Sequence, residues 1–253
     1  HLARVLSHHA LSWEWVGEPN GTEAPANPWA SDAAVTIFDR LEVPIADLLD
    51  AGKHGKVVVL EDEGAETGRL ADLRVNEMLD PADLRYAVLR EEFCCLPPRE
   101  HVERGRRILV TFGGSDPANL TGRVQSDLVP EAVRRIPGWD IQVIRPGTSA
   151  SMAREMRAAD LVITGQGRTV MEAAACGTPC ISISANEREA RHLRIPGITY
   201  LGLHSTVPAD VLRHTVTATL QSRTLREEMA TTARAQFDDR GADRLARAIE
   251  GLV

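Results

Sequence analysis

Residues 159–184 read ADLVITGQGRTVMEAAACGTPCISIS and contain two apolar runs separated by a glycine turn and a helical stretch. Continuous apolar runs of this kind are typical of strands that are buried on both faces of a parallel sheet. The same alternation continues in both directions, and it predicts strands at residues 107–112, 139–144, 160–164, 179–184 and 198–203. Strands that alternate with helical segments predict a parallel sheet with right-handed crossovers.

The rest of the chain also has an α/β pattern. Apolar side chains recur at helical spacing over residues 209–237 and again over 243–252, which predicts one long helix and a shorter final one. In the first half we predict strands at 33–38 and 56–60, helices at 1–15 and 46–51, and a loop at 17–28. Two strands are too few for a stable α/β layer. This half therefore either depends on packing against the other half for its stability, or is incomplete.

A domain boundary is predicted at residues 96–106, LPPREHVERGR. This stretch contains two prolines and then a run of charges, and a new strand follows it, as is common where one domain ends and another begins. We therefore expect one domain at residues 1–104 and a second at residues 105–253.

Composition excludes several classes of protein. The 253-residue chain has a net charge of -7, so it lacks the basic surface that nucleic-acid binding requires. No apolar run is long enough to span a bilayer and no signal peptide is visible, so we expect a cytoplasmic protein. The four cysteines and eight histidines show no metal-ligand spacing, and we expect reduced thiols, no metal and no cofactor.

A first glycine loop, Gly113-Gly114-Ser115-Asp116-Pro117, lies between a predicted strand and a predicted helix. Open parallel sheets bind their ligands at this position, outside the carboxyl ends of the strands. Paired glycines let the backbone approach a phosphate closely, and the free N–H groups at a helix start attract its charge. The alternative is a helix cap, with Asp116 as the N-cap and Pro117 as the first helical residue. Both can hold at once, because a cap does not explain the paired glycines.

A second glycine loop, Gly165-Gln166-Gly167-Arg168-Thr169, follows another strand of the same predicted sheet. Arg168 could neutralise a phosphate charge, or it could be a solvated side chain. Glu172 could accept hydrogen bonds from ribose hydroxyls. The alternative for Glu172 is a capping box, because Thr169 and Glu172 have the spacing of that motif.

Three further residues are candidates for ligand binding or catalysis. Asn186 follows the fourth predicted strand, where it could reach a ligand or simply cap the next helix. His1 and Arg4 share a face of a predicted helix, and histidine is the side chain best suited to general base catalysis near neutral pH.

Several runs of this sequence resemble one known family. The run ILVTFGGSDPANLT at residues 108–121 closely resembles the corresponding loop of the UDP-(diacetamido-trideoxy)-altrose hydrolases of pseudaminic acid biosynthesis. Residues 84–93, LRYAVLREEF, and residues 57–79, VVVLEDEGAETGRLADLRVNEML, are similar to other segments of that family. The likeness covers most of residues 35–253, and residues 159–184 are also similar to the peptidoglycan N-acetylglucosaminyl transferase.

The resemblance implies an α/β protein with two Rossmann-like domains of the glycosyltransferase B type and a cleft between them for the sugar. UDP would lie against the second domain, with Gly113, Gly114 and Ser115 beside its diphosphate. Gly165 to Thr169 would close on the phosphates from the other side, and Glu172 would hold the ribose. The sequence His1-Leu2-Ala3-Arg4 looks like the end of the family's catalytic Gly-x-Gly-His-x-x-Arg-like loop. His1 is therefore implied to be the base.

The chain also departs from the family pattern. The family has a strand and glycines before its histidine, and a further strand between positions that match Ile144 and Met152 here. We therefore expect stretches to be missing before His1 and around residues 145–151.

Three functions are compatible with these observations. The leading hypothesis is a monomeric hydrolase in which water attacks C1 of a UDP-sugar with inversion and UDP is released. The second is an inverting UDP-sugar glycosyltransferase, whose turnover would depend on an acceptor. The third is a non-catalytic nucleotide-sugar binder, in which loss of the His1 side chain would have no consequence.

Overall fold

Two parallel β-sheets organise the chain in the computed structural model, which describes residues 2–8, 33–64, 66–113, 116, 118–128, 139–144 and 149–253. Each sheet belongs to its own compact unit. The first unit comprises residues His1–Val88 and Arg240–Val253, and the second comprises Leu89–Asp239. The described helices and strands are α1 (Leu2–His8), β1 (Val35–Asp39), α2 (Ile45–Ala51), β2 (Lys56–Leu60), α3 (Thr67–Leu70), β3 (Leu73–Val75), β4 (Arg107–Val110), α4 (Leu120–Leu128), β5 (Asp140–Val143), α5 (Met152–Ala158), β6 (Leu161–Thr164), α6 (Arg168–Ala175), β7 (Cys180–Ser184), α7 (Glu187–Ala190), β8 (Ile198–Leu203), α8 (Ala209–Gln221), α9 (Arg223–Arg234) and α10 (Gly241–Glu250).

The sheet of the first unit has three parallel strands in the order β1-β2-β3. Side chains alternate between the two faces of a strand, so β2 contributes to two separate apolar clusters. Val58 and Leu60 pack with Leu245 and Ile249 of α10, while Val57 and Val59 belong to the cluster on the other face. The C-terminal helix thus completes the core of the unit in which the chain begins.

The sheet of the second unit has five parallel strands in the order β5-β4-β6-β7-β8. β4 and β6 pair directly, although β5 lies between them in the sequence. The strand order therefore reverses between β4 and β6, and open α/β sheets bind ligands at such a switch point.

All seven strands predicted from the sequence are present, and the structure adds β3. The helical stretch predicted over residues 209–237 is present but not continuous, because the structure divides it into two helices, α8 and α9, that meet at Ser222. The Ser222 hydroxyl accepts a hydrogen bond from Leu225 N at 3.1 Å, so it caps a new helix.

The two compact units differ from the predicted domains in two respects. Residues 89–104, predicted to end the first domain, pack with the second unit, and residues 240–253 pack with the first. The described residues contain no helix that is both long and apolar enough to traverse a bilayer.

Candidate functional site

The two glycine loops leave the same edge of the second sheet. Gly113 follows β4 and Gly165 follows β6, and the two strands are parallel neighbours in which Val110 pairs with Ile163. A methyl group added to Gly165 would lie 3.9 Å from Cδ1 of Phe112, the residue before Gly113. The structure therefore brings these two sequence-predicted loops together at the switch point of the sheet.

In the first loop, Gly113 has a φ of +71°, in the left-handed region that favours glycine. Among the described residues, no atom beyond its own chain neighbours lies within 4 Å of the place that a Cβ of Gly113 would occupy, and Gly113 is exposed. Gly114, Ser115 and Pro117 lie outside the described residues.

Asp116 has the capping role that the sequence suggested. Its carboxylate accepts hydrogen bonds from Leu120 N at 2.8 Å and Thr121 N at 3.0 Å, the first two residues of α4. The helix begins at Leu120, three residues later than predicted, because Asn119 still has a φ of +48°. The Asp116 side chain therefore caps the helix, as expected, but it does so from four residues before the helix begins, so the predicted N-cap position and helix start are wrong.

Gln166 is buried between the two glycines of the second loop, with 1% of its surface exposed. Its amide Nε2 donates to Leu193 O at 2.6 Å, and its Oε1 accepts from the Ser182 hydroxyl. Nδ1 of His192 lies 2.6 Å from the backbone oxygen of Gln166. These contacts fix the loop against β7 and the segment after α7. Gln166 thus holds the loop from behind, and both ends of its amide are bound within the protein.

Helix α6 begins at this loop with no side chain as its cap. Gly167 is the N-cap, and no atom of the described part of the chain, apart from its own chain neighbours, lies within 4 Å of the place that its Cβ would occupy. N–H groups in the first turn of a helix have no partner within the helix, so such an end can receive an anion. Arg168 and Thr169 are the first two helical residues, and Arg168 is exposed.

Glu172 is on the second turn of α6, and its carboxylate is bound to Arg90. Nε of Arg90 donates to Oε1 of Glu172 at 3.0 Å, and 13% of the Glu172 side chain is exposed. Burial raises the pKa of the Glu172 carboxyl, and the hydrogen bond and charge of Arg90 oppose that rise. The capping-box interpretation is wrong, since Thr169 lies inside the helix and the N-cap is Gly167.

The remaining predicted site residues are spread over both units. Asn186 is the N-cap of α7, and its side-chain oxygen accepts from Glu189 N at 2.9 Å. This confirms the capping interpretation, and the exposed Asn186 remains at the end of β7. Arg4 is an exposed residue of α1 in the first unit. His1 lies outside the described residues.

Sequence reasoning missed Arg90 as a residue of this site. It lies 82 positions before Glu172, and no spacing rule joins the two. The signal available was the run LREEF at residues 89–93, in which Arg90 precedes two acidic residues and an aromatic one. Within the described part of the chain, no group of three or more His, Cys, Asp or Glu side chains could hold a metal ion.

Comparison with known proteins shows which sequences this chain is similar to. No protein family model matches the chain. The chain is 26% identical to the spore coat polysaccharide biosynthesis protein SpsG of Bacillus subtilis (strain 168), and the match covers 85% of this chain and 76% of SpsG. It is also 29% identical to the uncharacterized protein MJ1062 of Methanocaldococcus jannaschii, over 41% of this chain and 26% of that protein.

Solved structures share the architecture at low sequence identity. MurG of Acinetobacter baumannii has a TM-score of 0.57 at 19% identity, and the match covers 84% of this chain and 72% of MurG. The glycotransferase of kitacinnamycin has a TM-score of 0.60 at 14% identity, covering 87% of this chain and 76% of that protein. The chain therefore shares the fold of these two structures, a fold of the glycosyltransferase B type with two Rossmann-like parallel sheets, as predicted.

Proposed function

We propose that this protein binds a UDP-sugar on its second unit and transfers the sugar to an acceptor. The observation that carries the proposal is the meeting of two glycine loops at the switch point between β4 and β6, with the Glu172 carboxylate on the adjoining helix. Backbone N–H groups of the loops would receive the diphosphate, and Glu172 would accept hydrogen bonds from the ribose hydroxyls.

The resemblance to the diacetamido-sugar hydrolases gives further residues a role in this proposal. Gly113, Gly114 and Ser115 would lie on one side of the diphosphate, and Gly165 to Thr169 on the other. Arg168, at the start of α6, would offset phosphate charge. His1 would act as the general base, taking a proton from the attacking hydroxyl as the bond between the sugar C1 and the UDP oxygen breaks.

The names of similar proteins favour transfer over hydrolysis. SpsG is named for polysaccharide biosynthesis, and the kitacinnamycin protein is named as a glycotransferase. Hydrolysis remains a second candidate, because residues 108–121 closely resemble the corresponding loop of the diacetamido-sugar hydrolases. In hydrolysis, water would take the place of the acceptor and the other roles would be unchanged.

An assay of UDP release separates the two reactions. We expect a UDP-sugar to be turned over by the protein, with a rate that rises when a saccharide acceptor is added. Equal release of UDP and free sugar without any acceptor would instead support hydrolysis. No UDP binding by calorimetry would contradict both reactions.

Glu172→Ala tests the site itself. We expect UDP affinity to fall by about 1.5–3 kcal/mol, the value of a hydrogen bond to a charged group. Glu227→Ala is a matched control, because Glu227 also accepts from an arginine Nε, that of Arg223 at 2.7 Å, but lies on α9. Calorimetric titration with UDP measures both variants. Unchanged affinity in Glu172→Ala would remove Glu172 from the site.

A further inference from the structure

The guanidinium of Arg90 is held from three sides. Its Nε donates to Oε1 of Glu172 at 3.0 Å, and its Nη1 lies 2.9 Å from Oε1 of Glu92. Its Cζ lies 4.9 Å from the centre of the Phe93 ring, and Phe93 is buried. A cation over an aromatic face is attracted to it, so the ring fixes the plane of the guanidinium. Arg90 therefore has a defined position although its side chain is more than half exposed.

Glu92 is itself anchored to a different element of the second unit. Its Oε2 accepts hydrogen bonds from the Ser151 hydroxyl at 2.8 Å and from Ala153 N at 3.1 Å, at the start of α5. A chain of contacts thus runs from the first turn of α5 through Glu92 and Arg90 to Glu172 on α6. Arg90 is the link that joins this chain to the candidate ribose ligand.

One oxygen of Glu172 is bound in this arrangement and the other is left for a ligand. Oε1 accepts from Arg90, and Oε2 makes no hydrogen bond to the residues that the structure describes. An ionised carboxylate only accepts hydrogen bonds, whereas a protonated one gives up acceptor capacity and gains a donor. A carboxylate that is both ionised and fixed is therefore suited to a pair of hydroxyl groups.

Three charged groups act on the Glu172 carboxyl besides the effect of burial. Arg90 and Arg168 lower its pKa, and Glu92 raises it. Cys176 directly follows this helix as its C-cap, and burial raises the pKa of its thiol to about 12, so it is neutral near pH 7. Arg90 has the largest of the effects that oppose burial.

We propose that Arg90 is a positioning residue for nucleotide-sugar binding, which fixes one oxygen of Glu172 so that the other accepts from the ligand's vicinal hydroxyls. Arg90 acts through Glu172 and does not itself touch the ligand. The inference rests on the proposed function, since it assigns a role within that same site.

The test is the pH dependence of UDP affinity, measured by calorimetry from about pH 5 to about pH 8.5, a range that includes the pKa values of perturbed carboxyls. In the wild-type protein, binding weakens as the pH falls through the pKa of Glu172. Arg90→Met removes the charge and keeps an apolar stem over Phe93, so the pKa of Glu172 rises. We expect the acid limb, the part of the pH profile in which affinity falls as the pH is lowered, to move to higher pH, with affinity about tenfold weaker than that of the wild type within that limb. Arg90→Lys keeps the charge and should keep the acid limb near its wild-type position.

Two further variants make the test specific. Arg223→Met removes an arginine of similar exposure that also donates from Nε to a glutamate, and it should leave UDP binding unchanged at every pH. Glu92→Gln removes a negative neighbour of Glu172, so it should move the acid limb to lower pH. Thermal unfolding shows whether each variant is folded. If Arg90→Met does not fold, the shift of the acid limb in Glu92→Gln is the result that tests the inference.

The outcomes separate this inference from the proposed function. Wild-type binding of UDP with an acid limb that is the same in Arg90→Met would overturn the inference alone. Equal weakening of Arg90→Met at every pH would also overturn it, because a merely structural role predicts that result. Tighter binding by Arg90→Met would show that Arg90 competes with the ligand for Glu172. No UDP binding by the wild-type protein would overturn the proposed function and this role with it.

Discussion

The side chain of Gln166 is buried, and the residues before and after it in the chain, Gly165 and Gly167, are both glycines. Both ends of its amide are used, since Nε2 donates to Leu193 O and Oε1 accepts from Ser182. A buried polar group that loses its partner costs more free energy than a hydrogen bond gains. Gln166 therefore sets the position of the loop at the residue scale, while the glycines leave the backbone open on the ligand side.

Gln166→Leu should lower the free energy of unfolding by about 1–3 kcal/mol, because the buried Ser182 hydroxyl and the half-buried Leu193 O lose their partner. Chemical denaturation measures this change. Gln142→Leu is the control, since Gln142 is half-buried and its hydrogen bond to Glu155 is long, at 3.3 Å. An equal loss of stability in the two variants would contradict the role given to Gln166.

The sequence could locate individual residues of the candidate site but not the contacts between them. Gly113, Gly165 and Gly167 were identified because each follows an apolar strand. The position of Glu172 was found, but spacing alone could not distinguish a capping box from a ligand residue. Its partner Arg90 is 82 residues away, and only the packing of the second unit brings the two together.

At the scale of elements, buried strands were predictable and short or capped elements were not. The five strands of the second sheet each contain apolar residues that the sequence pattern could locate, as in LVIT of β6, and β8 has the predicted bounds Ile198–Leu203. β3 has three residues with a charged Arg74 at its centre, so it carries no apolar run. The break between α8 and α9 depends on the Ser222 cap, and serine is also common within exposed helices.

The start of helix α10 packs closely against Ala87 within the first unit, and Gly241 makes this possible. A methyl group there would overlap the carbonyl oxygen of Ala87 and lie 2.8 Å from the carbonyl carbon. Gly241→Ala should therefore destabilise the protein by about 1–3 kcal/mol, as overpacking does. Gly251→Ala, at the other end of the same helix, meets its nearest atom at 3.4 Å and should be nearly neutral. Thermal unfolding compares the two, and equal midpoints would contradict the predicted overlap.

At the scale of the whole molecule, the first unit is built from two separate parts of the sequence. Residues 240–253 supply Leu245, Ala246 and Ile249 to the cluster that contains Val58, Leu60 and Val75. The second unit is one continuous stretch from Leu89 to Asp239. The loss of the last segment should therefore affect the two units differently.

Deletion of residues 240–253 should expose one face of the first sheet and leave the second core intact. We expect limited proteolysis to cut within residues 33–88 much faster than in the full chain, while residues 89–239 stay protected and still bind UDP. Deletion of residues 251–253 alone is the control, because it leaves α10 complete. Unchanged cleavage after the longer deletion would show that α10 is dispensable to the first unit.

The return of α10 to the first unit has a consequence for synthesis on the ribosome. Every residue of the second unit is made before α10, so the second unit can fold while the chain is still being extended. The first unit cannot bury the face of β2 that carries Val58 and Leu60 until Ile249 has left the ribosome, although the strands themselves were made much earlier. A nascent chain that stalls near Arg240 would thus carry a finished second unit and an exposed apolar sheet, which is a substrate for chaperones.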